Sequence, residues 1–271
     1  MLFRQTKSIL LTFVRCHRIF IDHFDLSSTG IELKEFQQRR QLFVNLIRKH
    51  LLATTATDFM IYLAASSRAF MGPDVAYFPF KQQSDFYYLT GCMQPDAVVL
   101  INGNQTSFTT NLFLPNLITH SVVDYERWFG KTIQDTNEIC QLFAFDRVQP
   151  LDDLKTTSIS SSSILFYNQD LVNDMSINKT YFFPFLKRFS SVKNSLPFLH
   201  SLRSIKSPAE QQLIRQACRF TSQGFIQTMK HSLPKTTRNE SLIKSRFQYE
   251  CQILDENISM SFYPVVAANG R

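Results

Sequence analysis

Apolar positions along this chain repeat with two different periods. Leu33, Phe36, Phe43, Leu46, Ile47 and Leu51 fall at broadly helical intervals, with Arg39, Arg40, Arg48 and Lys49 expected on the solvent side. Thr29 stands three residues before Glu32, the spacing of a capping box, so a helix is predicted over 31–51. The uninterrupted apolar run FMIYLAA at 59–65 predicts a strand, and Gly72-Pro73 breaks the chain after it. AVVLI at 97–101 and LFL at 112–114 predict two more strands, with a turn at Asn102-Gly103-Asn104. ILFY at 164–167 predicts a fourth, entered from a serine-rich surface loop at 160–163. Helical segments interleaved with short apolar strands predict an α/β layer.

The pattern changes near residue 200. Residues 190–197 are the best linker candidate. Ser207-Pro208-Ala209-Glu210 has capping-box spacing, with Pro at the first helical position, where its missing N–H costs nothing. Ile214, Ala217, Cys218, Thr221, Phe225 and Met229 then keep a helical stripe over 207–231, ended by Pro234. Thr237 and Glu240 repeat the spacing and open a third helix over 238–254, carrying Ile243, Phe247 and Leu254. The expected organisation is one full α/β domain followed by two helices of something else. About 65 residues are too few to close a core without more chain or a partner.

Composition narrows the class. The 271 residues are 44% apolar and 19% charged, with 26 Phe against 7 Gly, which excludes disordered, collagen-like and coiled-coil chains. No apolar run approaches the roughly 18 residues of a membrane span, so no membrane partner is expected. The net charge of +7 would suggest nucleic acid, but Arg4, Lys7, Arg15 and Arg18 all precede the first acid, Asp22. Beyond residue 21 the balance is 25 basic against 22 acidic residues, and no nucleic-acid partner is expected. An acid-free, basic and amphipathic leader reads as a mitochondrial transit peptide over 1–24, the alternatives being a cytoplasmic start and a secretory signal.

Chemical motifs are sparse. Cys16, Cys92, Cys140, Cys218 and Cys251 form no CxxC pair, so they read as reduced thiols. No G-x-S-x-G elbow, Rossmann or Walker glycine pattern, or H-E-x-x-H occurs. His17, His23, His50, His120, His200 and His231 are scattered. Asp152-Asp153 and Asp255-Glu256 are adjacent pairs that do not converge on one helix face, and both read as solvated turn charges.

Two longer motifs carry more. FKQQSDFYYLTG at 80–91, followed by QPDA at 94–97, resembles the "F-R-Q-x-S-D-F-Y-Y-L-T-G … E-P-D-A" signature of the aminopeptidase P N-terminal domain. LRSIKSPAE at 202–210 resembles the "L-R-x-I-K-S-P-A-E" that opens the catalytic domain of that family. ERWFG at 126–130 is similar to the family's "E-x-W-F-G", and YPVVA at 263–267 to its "P-P-V-V-A-G-G-N". Residues 33–40 fit its entry helix with paired arginines. The order and spacing of these motifs run from about residue 30 to 271. TSQGFI at 221–226 and the leader incline the resemblance to the mitochondrial branch, the Xaa-Pro aminopeptidase 3 type.

The resemblance implies a fold: an α/β, mixed-sheet, creatinase-N-terminal-like domain over 30–199, then the incomplete start of a pita-bread α+β metallopeptidase domain over 200–271. It implies an activity, the release of an N-terminal residue preceding proline. Family members use two manganese ions that activate a bridging hydroxide, held by two Asp, one His and two Glu. In the family those ligands lie beyond the P-V-V-A-G-G-N motif, so none is assigned here, and this chain alone is expected to bind no manganese and to be inactive. Tyr263 replaces the motif's first proline, and Ala268-Asn269-Gly270 its Gly-Gly-Asn.

By the same resemblance, proline-containing peptides are the substrates and the N-terminal domain builds a homo-oligomer. In family members that oligomerise, this domain also reaches a neighbour's active-site mouth. The matching rim positions are Asp74, to receive the peptide's amine, and Trp128, to cover the proline side. Against these stand a turn role for Asp74 and ordinary packing for Trp128. Tyr87 and Tyr88, in a strand-like stretch, read as core. The alternative function is a non-catalytic binding or dimerisation module, in which the 207–231 and 238–254 helices dock on a partner such as a full-length paralogue; fold alone does not establish hydrolysis.

Overall fold

The computed structural model describes residues 30–52, 58–67, 80–115, 136–160, 163–168, 178–232, 239–255, 260–262 and 264–267. The chain divides into two compact units, Met1–Ile205 and Lys206–Arg271.

In the first unit, β1 (Phe59–Ala64), β2 (Val98–Gly103), β3 (Phe108–Leu114), β4 (Arg147–Pro150), β5 (Ile164–Tyr167) and β6 (Ser191–Asn194) form one mixed sheet of order β4-β3-β2-β1-β5-β6. The β1–β2 and β2–β3 pairs are antiparallel, whereas β3–β4, β1–β5 and β5–β6 are parallel. The central register sets Ile61 opposite Ile101 and Phe166, and Tyr62 opposite Leu100 and Tyr167.

Both faces of this sheet are covered, which is why its central strands read as continuous apolar runs rather than alternating ones. Phe59, Ile61 and Leu63 point to one face with Val99, Ile101, Leu112, Ile164 and Phe166. There they meet α1 (Leu33–Leu51) through Phe43, Val44, Ile47 and Leu51. The same layer takes in Phe86 and Leu89 of α2 (Ser84–Thr90), Ile139 and Phe143 of α3 (Thr136–Phe143), and Leu199 of α5 (Leu196–Ser204). Met60, Tyr62, Val98, Leu100, Phe113 and Leu165 point the other way. A 3₁₀ turn (Leu151–Lys155), a π turn (Asn178–Phe182) and α4 (Phe183–Leu186) cover them with Leu151, Leu154, Phe182 and Phe185. Each such side chain contributes about 1.5–3 kcal/mol by leaving water, so the two layers hold most of the domain's stability.

Several sequence expectations change in the structure. The N-cap of α1 is Glu32 and makes no side-chain cap bond; Thr29 lies outside the described residues. Gly103 belongs to β2, paired with Phe59 and Phe108, and the position suits glycine because a Cβ there would stand 2.6 Å from Cζ of Phe59. The turn is built one residue later, where Asn104 Oδ1 accepts from the backbone N–H groups of Thr106 and Ser107. Residues 190–197, read as a linker, instead hold edge strand β6 and the start of α5. Tyr87 and Tyr88 lie half-buried on a helix, not in a core strand. Arg39 and Arg40, expected on the outside of α1, are buried.

The second unit contains α6 (Pro208–Ser232) and α7 (Glu240–Leu254). Its first cap forms as the sequence predicts: Glu210 N–H donates to Ser207 Oγ at 3.1 Å, and Ser207 N–H donates to Glu210 Oε2 at 2.9 Å. For the second, Thr237 lies outside the described residues; Asn239 is the N-cap of α7, its side chain accepting from Ser241 N–H at 2.8 Å. Among the described residues no helix is long and apolar enough to cross a membrane.

Candidate functional site

The motif at 80–97 folds into a polar knot. Gln82 is buried, and all its hydrogen-bonding capacity is spent on backbone. Its Oε1 accepts from Ser66 N–H at 2.8 Å and Gln83 N–H at 2.9 Å, while its Nε2 donates to the carbonyls of Cys92 and Gln94 at 3.2 and 3.1 Å. One amide thus ties the end of β1 to both sides of α2. Gln83 caps α2 by accepting from Phe86 N–H at 2.6 Å. Gly91 ends the helix at φ 67°, the left-handed region that a Cβ disfavours, and its N–H donates to Tyr87 O.

The two arginines of α1 hold this helix from below. Arg40 Nη1 donates to Leu89 O at 2.9 Å, and its Nη2 to Phe143 O at 3.2 Å and Ala144 O at 2.8 Å. One guanidinium therefore satisfies orphan carbonyls at the C-termini of α2 and α3 together. Burial pulls the Arg40 pKa down to about 10, against the opposing pull of the Asp146 carboxylate. It remains charged at neutral pH. Arg39 pairs with Glu35, donates to Tyr88 O at 3.1 Å, and lies 4.3 Å over the Tyr88 ring.

Asp85 completes the knot. Its carboxylate is buried and pairs with Arg203 of α5, and also accepts from Gln83 Nε2 at 3.3 Å and Asn168 Nδ2 at 3.5 Å. Arg203 in turn stands 6.0 Å from the Tyr88 ring centroid. The two motifs that carry the family resemblance, at 80–91 and 202–210, thus meet through Asp85 and Arg203. A carboxylate held by one guanidinium and two amides orders structure; it is not an available base.

Of the residues singled out from sequence, Asp74 and Trp128 lie outside the described residues. Tyr87 packs edge-on against Phe36 at 6.1 Å, and Tyr88 sits against Arg39. Asp152 is exposed and pairs with Lys155 at 2.8 Å, which lowers its pKa through that hydrogen bond first and the ammonium charge second. Among the described residues no group of three or more His, Cys, Asp or Glu side chains is placed to hold a metal ion. The two-manganese centre does not fit on them, and no hydrolytic step is assigned to them.

Sequence reasoning missed Gln82, Arg39, Arg40, Asp85 and Arg203. A signal existed for the arginines. Position 40 is four residues from Phe36 and three from Phe43, and position 39 is three and four residues from them, so both sit within the apolar stripe of α1.

Comparison with known proteins agrees with this geometry. Residues 36–163 match the family model described as aminopeptidase P, N-terminal domain. The chain is 29% identical over 245 residues to the mitochondrial intermediate cleaving peptidase 55 of Arabidopsis thaliana, covering 89% of this chain and 45% of that protein. It is 26% identical over 253 residues to Xaa-Pro aminopeptidase 3 of Homo sapiens, covering 89% and 48%. Among solved structures, a low-pH form of E. coli aminopeptidase P superposes with a TM-score of 0.65 at 18% identity, over 83% of this chain and 50% of that one. Proline aminopeptidase P II from Yersinia pestis gives 0.62 at 22%, over 81% and 50%. The chain spans about half the length of the relatives it matches.

Proposed function

Because residues 36–163 are an aminopeptidase P N-terminal domain, we propose that the chain is the N-terminal portion of a manganese-dependent Xaa-Pro aminopeptidase, releasing the N-terminal residue that precedes proline. The observation that carries this reading is continuity. Similarity to peptidases takes in 89% of the chain, well beyond the matched domain.

In this reading the described residues supply a scaffold rather than the hydrolytic centre. The polar knot holds α1, α2 and α5 together. Asp74 and Trp128 are the residues that would touch substrate, at a neighbouring subunit's active-site mouth in a homo-oligomer. The carboxylate would receive the peptide's free amine, and the indole would cover the proline ring. Two manganese ions would supply Lewis-acid activation of water, on ligands not found among the described residues. The acid-free basic leader and the mitochondrial relative in Arabidopsis thaliana support a mitochondrial location.

The test is a peptidase assay on two preparations. The 271-residue chain, purified alone and supplied with manganese, is expected to leave Arg-Pro-Pro intact. The native species that carries this chain, isolated from mitochondria with antibodies to residues 30–205, is expected to release arginine from Arg-Pro-Pro but not from Arg-Ala-Ala. Chelation should abolish that release. Equal cleavage of both peptides, or activity indifferent to chelation, overturns the proposal. Turnover by the chain alone overturns the scaffold assignment.

A further inference from the structure

Gln82 is 8% exposed, and its four hydrogen bonds are the full capacity of a side-chain amide. Two of them meet at one atom. Ser66, just past β1, and Gln83, the N-cap of α2, both donate their backbone N–H groups to Gln82 Oε1, at 2.8 and 2.9 Å. The chain leaves the domain's frame at Ser66 and rejoins it at Gln83, and a single oxygen holds both points.

Each point is held a second time. Ser66 O accepts from Asp96 N–H at 3.0 Å, and Asp96 makes that bond from a left-handed backbone, φ 59°. Such strain in a residue other than glycine persists where its surroundings impose it, and it collects at functional sites. Gln83 is fixed to α2, its side chain accepting from Phe86 N–H and its carbonyl from Tyr87 N–H at 2.9 Å. The Gln82 amide itself is kept from turning by the bonds from Nε2 to the carbonyls of Cys92 and Gln94.

Near the middle of the stretch between Ser66 and Gln83 comes Asp74, the one carboxylate in residues 59–84. We propose that Gln82 is a positioning residue for Asp74: by fixing both ends of this stretch it sets where the carboxylate meets the amine of a peptide substrate, an inference that rests on the functional reading above. A contact made equally in the ground state and the transition state is felt in KM rather than in kcat.

Two variants separate positioning from stability. Gln82→Met removes all four bonds. Gln82→Glu keeps an oxygen for the Ser66 and Gln83 N–H groups but loses the donors to Cys92 and Gln94, so both variants should melt at lower temperature than the parent. In the native species, isolated as above from cells carrying the altered gene, Gln82→Met should raise KM for Arg-Pro-Pro at least about tenfold with kcat within about twofold. Asp74→Ala should do the same, and Gln82→Glu should keep the parent KM. Combining Gln82→Met with Asp74→Ala should raise KM no further than Asp74→Ala alone. A raised KM in Gln82→Glu, effects of Gln82→Met and Asp74→Ala that multiply, or an active Asp74→Ala protein with unmoved KM would each overturn the inference.

Hydrogen exchange reads the clamp in the 271-residue chain without any activity. The amides of Ser66 and Gln83 should exchange at least about tenfold faster in Gln82→Met than in Gln82→Glu. Equal exchange overturns the inference whatever the assay gives. Native protein that spares Arg-Pro-Pro while these amides behave as expected counts against the proposed activity and not against the hold of Gln82 on the two ends.

Discussion

Asp85 of α2 and Arg203 of α5, 118 residues apart in sequence, form an ion pair in which the carboxylate is buried and the guanidinium is about one-third exposed. This contact fastens the last helix of the first unit to the domain's most distinctive motif. Because Arg203 is partly solvated, its Coulomb gain is screened, and most of the cost of losing it is the buried charge left behind on Asp85.

Removing both partners should therefore cost less than the two single removals added together. Arg203→Met is expected to destabilise by about 1–3 kcal/mol, Asp85→Asn by a similar amount, and the double variant by less than their sum. Urea titrations of the four proteins measure the coupling. Strict additivity would show that the two side chains act independently.

Arg40 carries a heavier role, since it serves two helix ends at once. Arg40→Ala would remove this donor from the carbonyls of Leu89, Phe143 and Ala144, an expected loss of about 3–5 kcal/mol. Arg40→Lys keeps the charge but not the planar fork, so it should recover only part of that loss. Ala144 adds a related handle. It sits at φ 51° just past α3, with Phe145 N–H donating to Cys140 O at 3.0 Å. Ala144→Gly should hold or raise the melting temperature, because the left-handed conformation costs glycine nothing.

The main strands and long helices of this fold were legible because burial on both faces writes continuous apolar runs, as at 59–64 and 98–101, and because the Ser207–Glu210 cap is a local signal. The edge strands were not. In β4 (RVQP) and β6 (SVKN) every residue is half-buried or exposed, so no apolar pattern forms and only pairing with β3 and β5 makes them strands. Helix α2 was hidden by its aromatic content, which favours strands; the Gln83 cap and Gly91 stop override that preference. The polar knot was illegible for a different reason. Asp85, Arg39, Arg40 and Arg203 have the composition of solvated surface, and only the tertiary approach of helix C-termini makes burying them favourable. The metal centre and the rim residues were reached through resemblance alone.

Alkaline pH gives a signed test of the core. Burial pushes the Cys92 thiol up to about 12 from an ordinary value near 9, and raises the Tyr62 phenol from near 10. Groups that hold their proton more tightly when folded support the fold fully below their unfolded pKa and lose that support as pH rises. The window therefore opens near pH 9 for Cys92 and near 10 for Tyr62. Arg40 acts oppositely: depressed to about 10, its burial penalty is relieved only above that pH. Between pH 9 and 10 the thiol dominates, at up to about 1.4 kcal/mol per pH unit. Cys251 is shifted up as well, by burial and then by the Glu250 charge, so the comparison belongs in a Cys251→Ala background. There, urea midpoints should fall from pH 8 to 10, and Cys92→Ala should flatten the fall. Parallel slopes would show that Cys92 does not titrate with unfolding.

Gly224 tests how tightly α6 and α7 pack. In an exposed helix Gly→Ala gains about 1 kcal/mol of helix propensity, but here the new Cβ would lie 2.6 Å from Cys251 Sγ and 3.4 Å from Cε2 of Phe247. Overpacking of that kind costs about 1–3 kcal/mol, enough to outweigh the propensity gain. Gly224→Ala should therefore lower the stability of the second unit. Cys251→Ala removes the atom in the way, so the double variant should recover the loss and realise part of the helix gain. Thermal melts followed at 222 nm, with hydrogen exchange of α6 and α7 to separate the units, decide the matter. A Gly224→Ala protein as stable as the parent would show that the two helices separate freely at this point.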